Sequence, residues 1–132
     1  DYAGFGVLPM AISRDVLIAV DIAEENCKKV KISNLLNEKY PSTSWDYEGK
    51  ENVVEIKVKE GISEWENYFK SGYKGTLQYL SLDNPKGMYC LVDGSVPPGA
   101  GLSSSAAFVC SVVIATCFAN NEKLTKQKKT KK

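Results

Sequence analysis

The sequence contains no histidine at all. That absence removes Ser-His-Asp and Cys-His catalysis within the chain, and with it many hydrolase mechanisms. It also argues against a zinc cage, because Cys27, Cys90, Cys110 and Cys117 form no C-x-x-C pair and have no imidazole to complete a tetrahedron. No apolar run is long enough to cross a bilayer, and no charged start leads into a signal core. A cytoplasmic, reducing setting with no membrane partner is expected. Neither the Gly-Lys-Ser/Thr of a Walker A loop nor a G-x-S-x-G elbow occurs, and no internal repeat is visible.

What is present fits one compact unit: 132 residues, 43% of them hydrophobic, are enough for a single core. The formal charge of +1 is unevenly spread. Six of the 17 basic and one of the 16 acidic residues lie between Glu122 and Lys132, leaving 11 against 15 in the body. A mildly acidic body excludes a nucleic-acid surface there, since phosphate binding needs clustered Lys and Arg on one face. The lysine-rich end has nothing to bury, so residues 1–121 are expected to form the domain and 122–132 a disordered basic tail.

Along the chain, Asp15 to Val20 is short and apolar enough for a buried strand, and Val30-Lys31-Ile32 for a second. Leu36 to Asn52 is polar and turn-rich, a loop or weak hairpin. Val54, Ile56 and Val58 alternate with Glu55, Lys57 and Lys59, the period of a strand with one wet face. Ser63 can cap a helix whose stripe is Trp65, Phe69, Tyr73, Leu77 and Leu80, with Glu64 and Glu66 in the first turn where the helix dipole favours them. Gly87 to Asp93 reads as a strand buried on both faces. A loop, Gly94 to Leu102, then leads to a helix over Ser103 to Ala119, apolar nearly all round and therefore expected to be central. Cys110 and Cys117, seven apart on that helix, are expected as buried thiols. The pattern is α+β, a mixed sheet with helices packed on one side.

The stretch richest in chemistry is Pro97-Pro98-Gly99-Ala100-Gly101-Leu102-Ser103-Ser104-Ser105-Ala106-Ala107. Prolines stiffen the approach, while Gly99 and Gly101 admit positive φ and close approach of a ligand to backbone N–H groups. The first turn of the following helix supplies unpaired N–H groups and the positive end of a dipole, the makings of an anion site. The hydroxyls of Ser103, Ser104 and Ser105 can donate to phosphate, and one can ligate Mg²⁺ beside it. The plainer alternative is that the serines only cap the helix and the glycines only turn the chain.

This segment resembles the second conserved motif of the GHMP small-molecule kinases, whose phosphate loop is unrelated to Walker A. Asp1-Tyr2-x-Gly4 with Val7-Leu8-Pro9-Met10-Ala11-Ile12 is similar to the galactokinase signature within that family. Trp65-Glu66-Asn67-Tyr68, Gly72 and Lys74-Gly75 resemble the W-x-N-Y pattern of galactokinases and N-acetylgalactosamine kinases. A mevalonate or homoserine kinase fits the Asp-Tyr start and W-x-N-Y less well. The resemblance covers residues 1 to about 125 and implies the GHMP-kinase N-terminal fold, like domain 2 of ribosomal protein S5, in incomplete form.

It further implies that ATP with Mg²⁺ phosphorylates the 1-hydroxyl of galactose or N-acetylgalactosamine; a monomer is expected. At matching positions, Asp1 would accept hydrogen bonds from the sugar, Gly99, Gly101, Ser103, Ser104 and Ser105 would cradle the phosphates, and Ser104 would face the Mg²⁺. Trp65 and Tyr68 would lie near the adenine, although Trp65 falls on the apolar stripe and core packing is its alternative. The family's Gly-Arg-x-Asn-Leu-Ile-Gly-Glu-His segment and its Gly-Gly-Met-Asp-Gln segment, whose Asp is the usual base, are not in the sequence. No catalytic residue is therefore expected in this stretch, and little turnover from it alone. The likeness is expected to fade near Lys126. A second reading is a non-catalytic sensor of galactose and ATP that regulates transcription, as in some fungal relatives of galactokinase.

Overall fold

A computed structural model of the chain describes residues 4, 6, 8–49, 53–57 and 65–123. Four strands and two helices follow in the order β1 (Val16–Ile22), β2 (Lys29–Asn34), β3 (Thr43–Asp46), α1 (Trp65–Leu80), β4 (Met88–Gly94) and α2 (Ser104–Ala119). The sheet runs β1-β4-β2-β3. β4 pairs antiparallel with β1 and parallel with β2, and β2 pairs antiparallel with β3. The sheet is mixed, as expected, and α1 lies in the crossover that makes β2 and β4 parallel.

Alternation decides which side is wet. In β2, Val30 and Ile32 are fully buried while Lys29 and Lys31 face water. β4 repeats this: Met88, Cys90 and Val92 point into the core, whereas Tyr89 and Leu91 remain 37% and 43% exposed. The expectation of a strand buried on both faces is thus corrected, because both helices cover the same side of the sheet. On α1, Phe69, Tyr73 and Leu77 recur every fourth residue and are buried against the sheet. Each such side chain contributes about 1.5–3 kcal/mol through apolar burial. α1 meets α2 at Gly72, where an added Cβ would sit 3.1 Å from the Val109 carbonyl oxygen and 3.1 Å from the Val112 side chain.

Three further expectations change. β3 occupies the polar segment read as a loop or weak hairpin; its anchor is Trp45, half-buried and edge-on to Phe69 and Tyr73 at centroid distances of 6.0 and 5.9 Å. Residues 54–57 form no strand, because alternation without a paired neighbour is insufficient. Val53, beside them, is the residue packed in the core. Val58 and the proposed cap Ser63 lie outside the described residues, as do Glu64, Lys59 and the tail from 124.

α2 is less central than its composition suggests. Among the described residues nothing covers Ile114 and Phe118, which are 51% and 65% exposed. Cys117 is buried but Cys110 is exposed, although the two lie on one helical face. Their difference is axial: near Cys117 the chain folds back, with the Lys86 N–H donating to Asn120 Oδ1 and the Glu122 N–H donating to the Cys117 carbonyl. Cys90, on the buried face of β4, has its thiol pushed up to about 12 by burial.

Candidate phosphate-binding loop

β4 ends at Gly94, Val96 is buried, and residues 97–103 are exposed throughout. Within that stretch Gly99 and Gly101 take φ of +73° and +69°, with open space where a Cβ would be. Ser103 also lies in the left-handed region, at φ 58°, and its hydroxyl makes no capping bond. A side-chain N-cap normally has extended backbone. Simple capping by Ser103, the plainer alternative, is therefore not what the serine does.

The first intrahelical bond recorded at this end is from the Ala107 N–H to the Ser103 carbonyl, 2.9 Å. The amides of Ser104, Ser105 and Ala106 precede it in the first turn, which has no intrahelical acceptors. Among the described residues no protein group takes those amides, and α2 has no acidic side chain in its first turn. Unpaired donors, the positive dipole end and two glycines without neighbours converge on one exposed spot. Chemically, that is a cup for an anion.

The serines differ in what they have left to offer. Ser104 Oγ donates to the Val96 carbonyl at 3.1 Å, so its proton is engaged and only its lone pairs remain. Ser103 and Ser105 are exposed. No group of three or more Cys, Asp or Glu gathers among the described residues, so a Mg²⁺ ion here would draw most of its ligands from phosphate and water. A lone hydroxyl with free lone pairs fits that arrangement.

The first turn of α1 lies beside the second turn of α2. Trp65 stacks on Phe108 with centroids 5.9 Å apart and an interplanar angle of 19°, and its Nε1 donates to the Pro41 carbonyl at 3.1 Å. Its indole is half-buried among protein groups, the core alternative. Tyr68, one residue off the stripe, is 40% exposed and faces outward from the same turn. Asp1 lies outside the described residues. A separate groove of about 380 Å³ runs between β1 and α2, lined by apolar groups such as Leu17, Ile114 and Phe118, and shares no residue with the loop. Sequence reading missed Ser95 and Asp15, which face each other at the root of the loop through several hydrogen bonds. Residues so far apart in the chain leave no local signal.

Residues 67–131 match the family model described as the GHMP kinases N terminal domain, so the likeness continues past Lys126. The mixed sheet with its two helices agrees with the GHMP-kinase N-terminal fold, and the match takes in just under half of the chain. Within that class it is similar to galactokinases. It is 38% identical to the galactokinase of Dictyostelium discoideum over 96% of this chain and 25% of the relative. With that of Saccharomyces cerevisiae the identity is 35%, over 91% of this chain and 24% of the relative. The chain thus spans about a quarter of the length of these curated relatives. Among solved structures, Lactococcus lactis galactokinase complexed with galactose superposes with a TM-score of 0.69 at 25% identity, covering 89% of this chain and 28% of that one. Methanococcus jannaschii mevalonate kinase gives 0.69 at 18% identity over 86% and 33%, a likeness of fold.

Proposed function

We propose that this chain forms the nucleotide-gripping part of a sugar 1-kinase that moves the γ-phosphoryl group of ATP to the anomeric hydroxyl of galactose. The observation that carries the reading is the set of untaken amides at the start of α2 behind Gly99 and Gly101. In phosphoryl transfer the anomeric oxygen forms a bond to the γ-phosphorus while the bond to the bridging oxygen breaks. ADP leaves with the extra negative charge, and the hydroxyl proton passes to a base outside the residues assigned here. Fixed N–H donors aimed at the β- and γ-phosphate oxygens favour that charge without reorganising.

Gly99, Gly101 and the amides of residues 103 to 106 would hold the phosphates, with Ser103 and Ser105 adding hydroxyl donors. Ser104 would turn its lone pairs to Mg²⁺, which when bound supplies charge neutralisation between the phosphates. Tyr68 is the better placed of the two aromatic residues to meet the adenine, and Asp1 would accept hydrogen bonds from the sugar. That the relatives are named galactokinases supports galactose, rather than N-acetylgalactosamine, as the proposed acceptor. A cytoplasmic monomer suits the reaction; no helix among the described residues is long and apolar enough to cross a membrane.

The 132 residues alone are proposed to hold nucleotide but to transfer phosphate poorly. Titration with a fluorescent ATP analogue, with and without Mg²⁺, should give saturable binding that unlabelled ATP competes away. A parallel assay of phosphate transfer from labelled ATP to galactose should show little product. A chain that binds no nucleotide even at millimolar concentration would sink the reading.

A further inference from the structure

We propose that Ser95 is a positioning residue for the phosphate loop, holding its root through Asp15 so that the amides of α2 face the nucleotide. The inference rests on the nucleotide-binding reading above. Residues 97–103 are exposed, and among the described residues none of their side chains makes a hydrogen bond. Gly99 and Gly101 touch nothing where a side chain would begin. The loop has little packing to hold it, so the hydrogen bonds at its two roots bear on its geometry.

At one root the loop is closed on itself, because Ser104 Oγ donates to the carbonyl of buried Val96. The other root is Ser95. β1 and β4 pair in a register that sets Val16 opposite Gly94, so Asp15 stands opposite Ser95 one step further on. The Ser95 N–H donates to the Asp15 carbonyl at 2.9 Å, as a ladder partner would. The return bond differs: the Asp15 N–H donates to Ser95 Oγ at 3.0 Å and not to the backbone carbonyl. The single proton of that hydroxyl has two acceptors within reach, the Asp15 carbonyl at 3.3 Å and Oδ1 at 3.2 Å. A side-chain oxygen thus stands in for the backbone carbonyl, and the main chain is released from the ladder to turn into the loop. Ser111 adds a third tie, donating to the Val16 carbonyl at 3.2 Å or to Ala107 at 2.9 Å, which fixes α2 to the same end of β1.

The test is nucleotide affinity set against thermal stability in the full chain. Ser95→Ala should weaken binding of the fluorescent ATP analogue about three- to tenfold, with the melting temperature lowered by no more than a few degrees, the cost of one lost hydrogen bond. Ser95→Thr, which keeps the hydroxyl, should restore affinity, whereas Ser95→Val, matched to Thr in shape, should not. If Ser95→Ala does not fold, the Thr and Val pair asks the same question. Equal affinity of the Thr and Val variants overturns the inference while the kinase reading stands. An unaltered chain that binds no nucleotide overturns both.

Discussion

The loop at 97–103 and the crossing of α1 with α2 are neighbours along one helix, yet they are held by opposite means. At the crossing, Gly72 brings two backbones together and Val112 is fully buried. Phe69 and Phe108 meet edge-on with centroids 6.2 Å apart. About two helical turns earlier, the loop is exposed. The helix is a shaft fixed at its middle so that its start can be left bare. Donors at that start stay unpaired because the energy that orders the helix comes from elsewhere.

Substitution at the shaft should therefore cost stability first, with binding lost only as the fold is lost. Phe69→Ala should have the largest effect, about 3–5 kcal/mol from the lost side chain and the cavity left behind. Urea titration followed by tryptophan fluorescence would measure it; a loss below about 1 kcal/mol would place Phe69 outside a working core. Gly72→Val should cost about 1–3 kcal/mol, because the added methyls meet the Val109 backbone, which cannot rotate away. Equal midpoints for this variant and the unaltered chain would break the contrast at its centre.

At the loop the order should invert. Gly101→Val places a β-branched residue at φ +69°, which the unpacked loop relieves by leaving that conformation. Stability should change by no more than about 0.5 kcal/mol. Nucleotide affinity should nonetheless fall about tenfold or more, the cost of at least one charge-assisted hydrogen bond. Unchanged affinity by competition titration would show that the glycine does not shape the cup.

An effect absent at neutral pH concerns Cys90. Its thiol stays protonated in the fold up to about 12, while in the unfolded chain it ionises near its ordinary value of 9.0. The unfolded state alone loses the proton as pH climbs between these values, so the stabilisation is full below 9 and declines towards 12. Tyr73, whose hydroxyl burial also pushes up, acts in the same direction. Urea midpoints should fall across this window, less so in Cys90→Ala; parallel falls in both chains would remove the assignment. At neutral pH a thiol reagent should label exposed Cys110 and spare buried Cys90 and Cys117.

Much of this contrast was legible in the residues themselves. Phe69, Tyr73 and Leu77 recur with the helical period, and Gly99-Ala100-Gly101 before three serines announces a loop feeding a helix start. What escaped were features set by distant partners. β3 is short and rich in Ser and Thr, and it is a strand through its antiparallel pairing with β2 and the docking of Trp45 on α1. Val54 and Ile56 alternate like strand residues but find no ladder. Cys110 and Cys117 share a face and differ only in what covers each level of α2. Trp65 carried two readings because a stripe position and an aromatic pattern coincide there; its stack on Phe108 gives it protein neighbours, while its role towards nucleotide rests on the proposal above.

The register of the sheet carries a consequence for how the chain folds. Val16 pairs with Gly94 and Ile22 with Met88, so the first strand must wait for nearly the whole intervening chain before it finds its mate. Contacts of such long sequence separation form slowly, because closing the loop comes before its reward. The proposed nucleotide cup hangs from the end of that pairing. ATP added during refolding should therefore leave the early collapse untouched and act on the last phase alone, by slowing escape from the finished state.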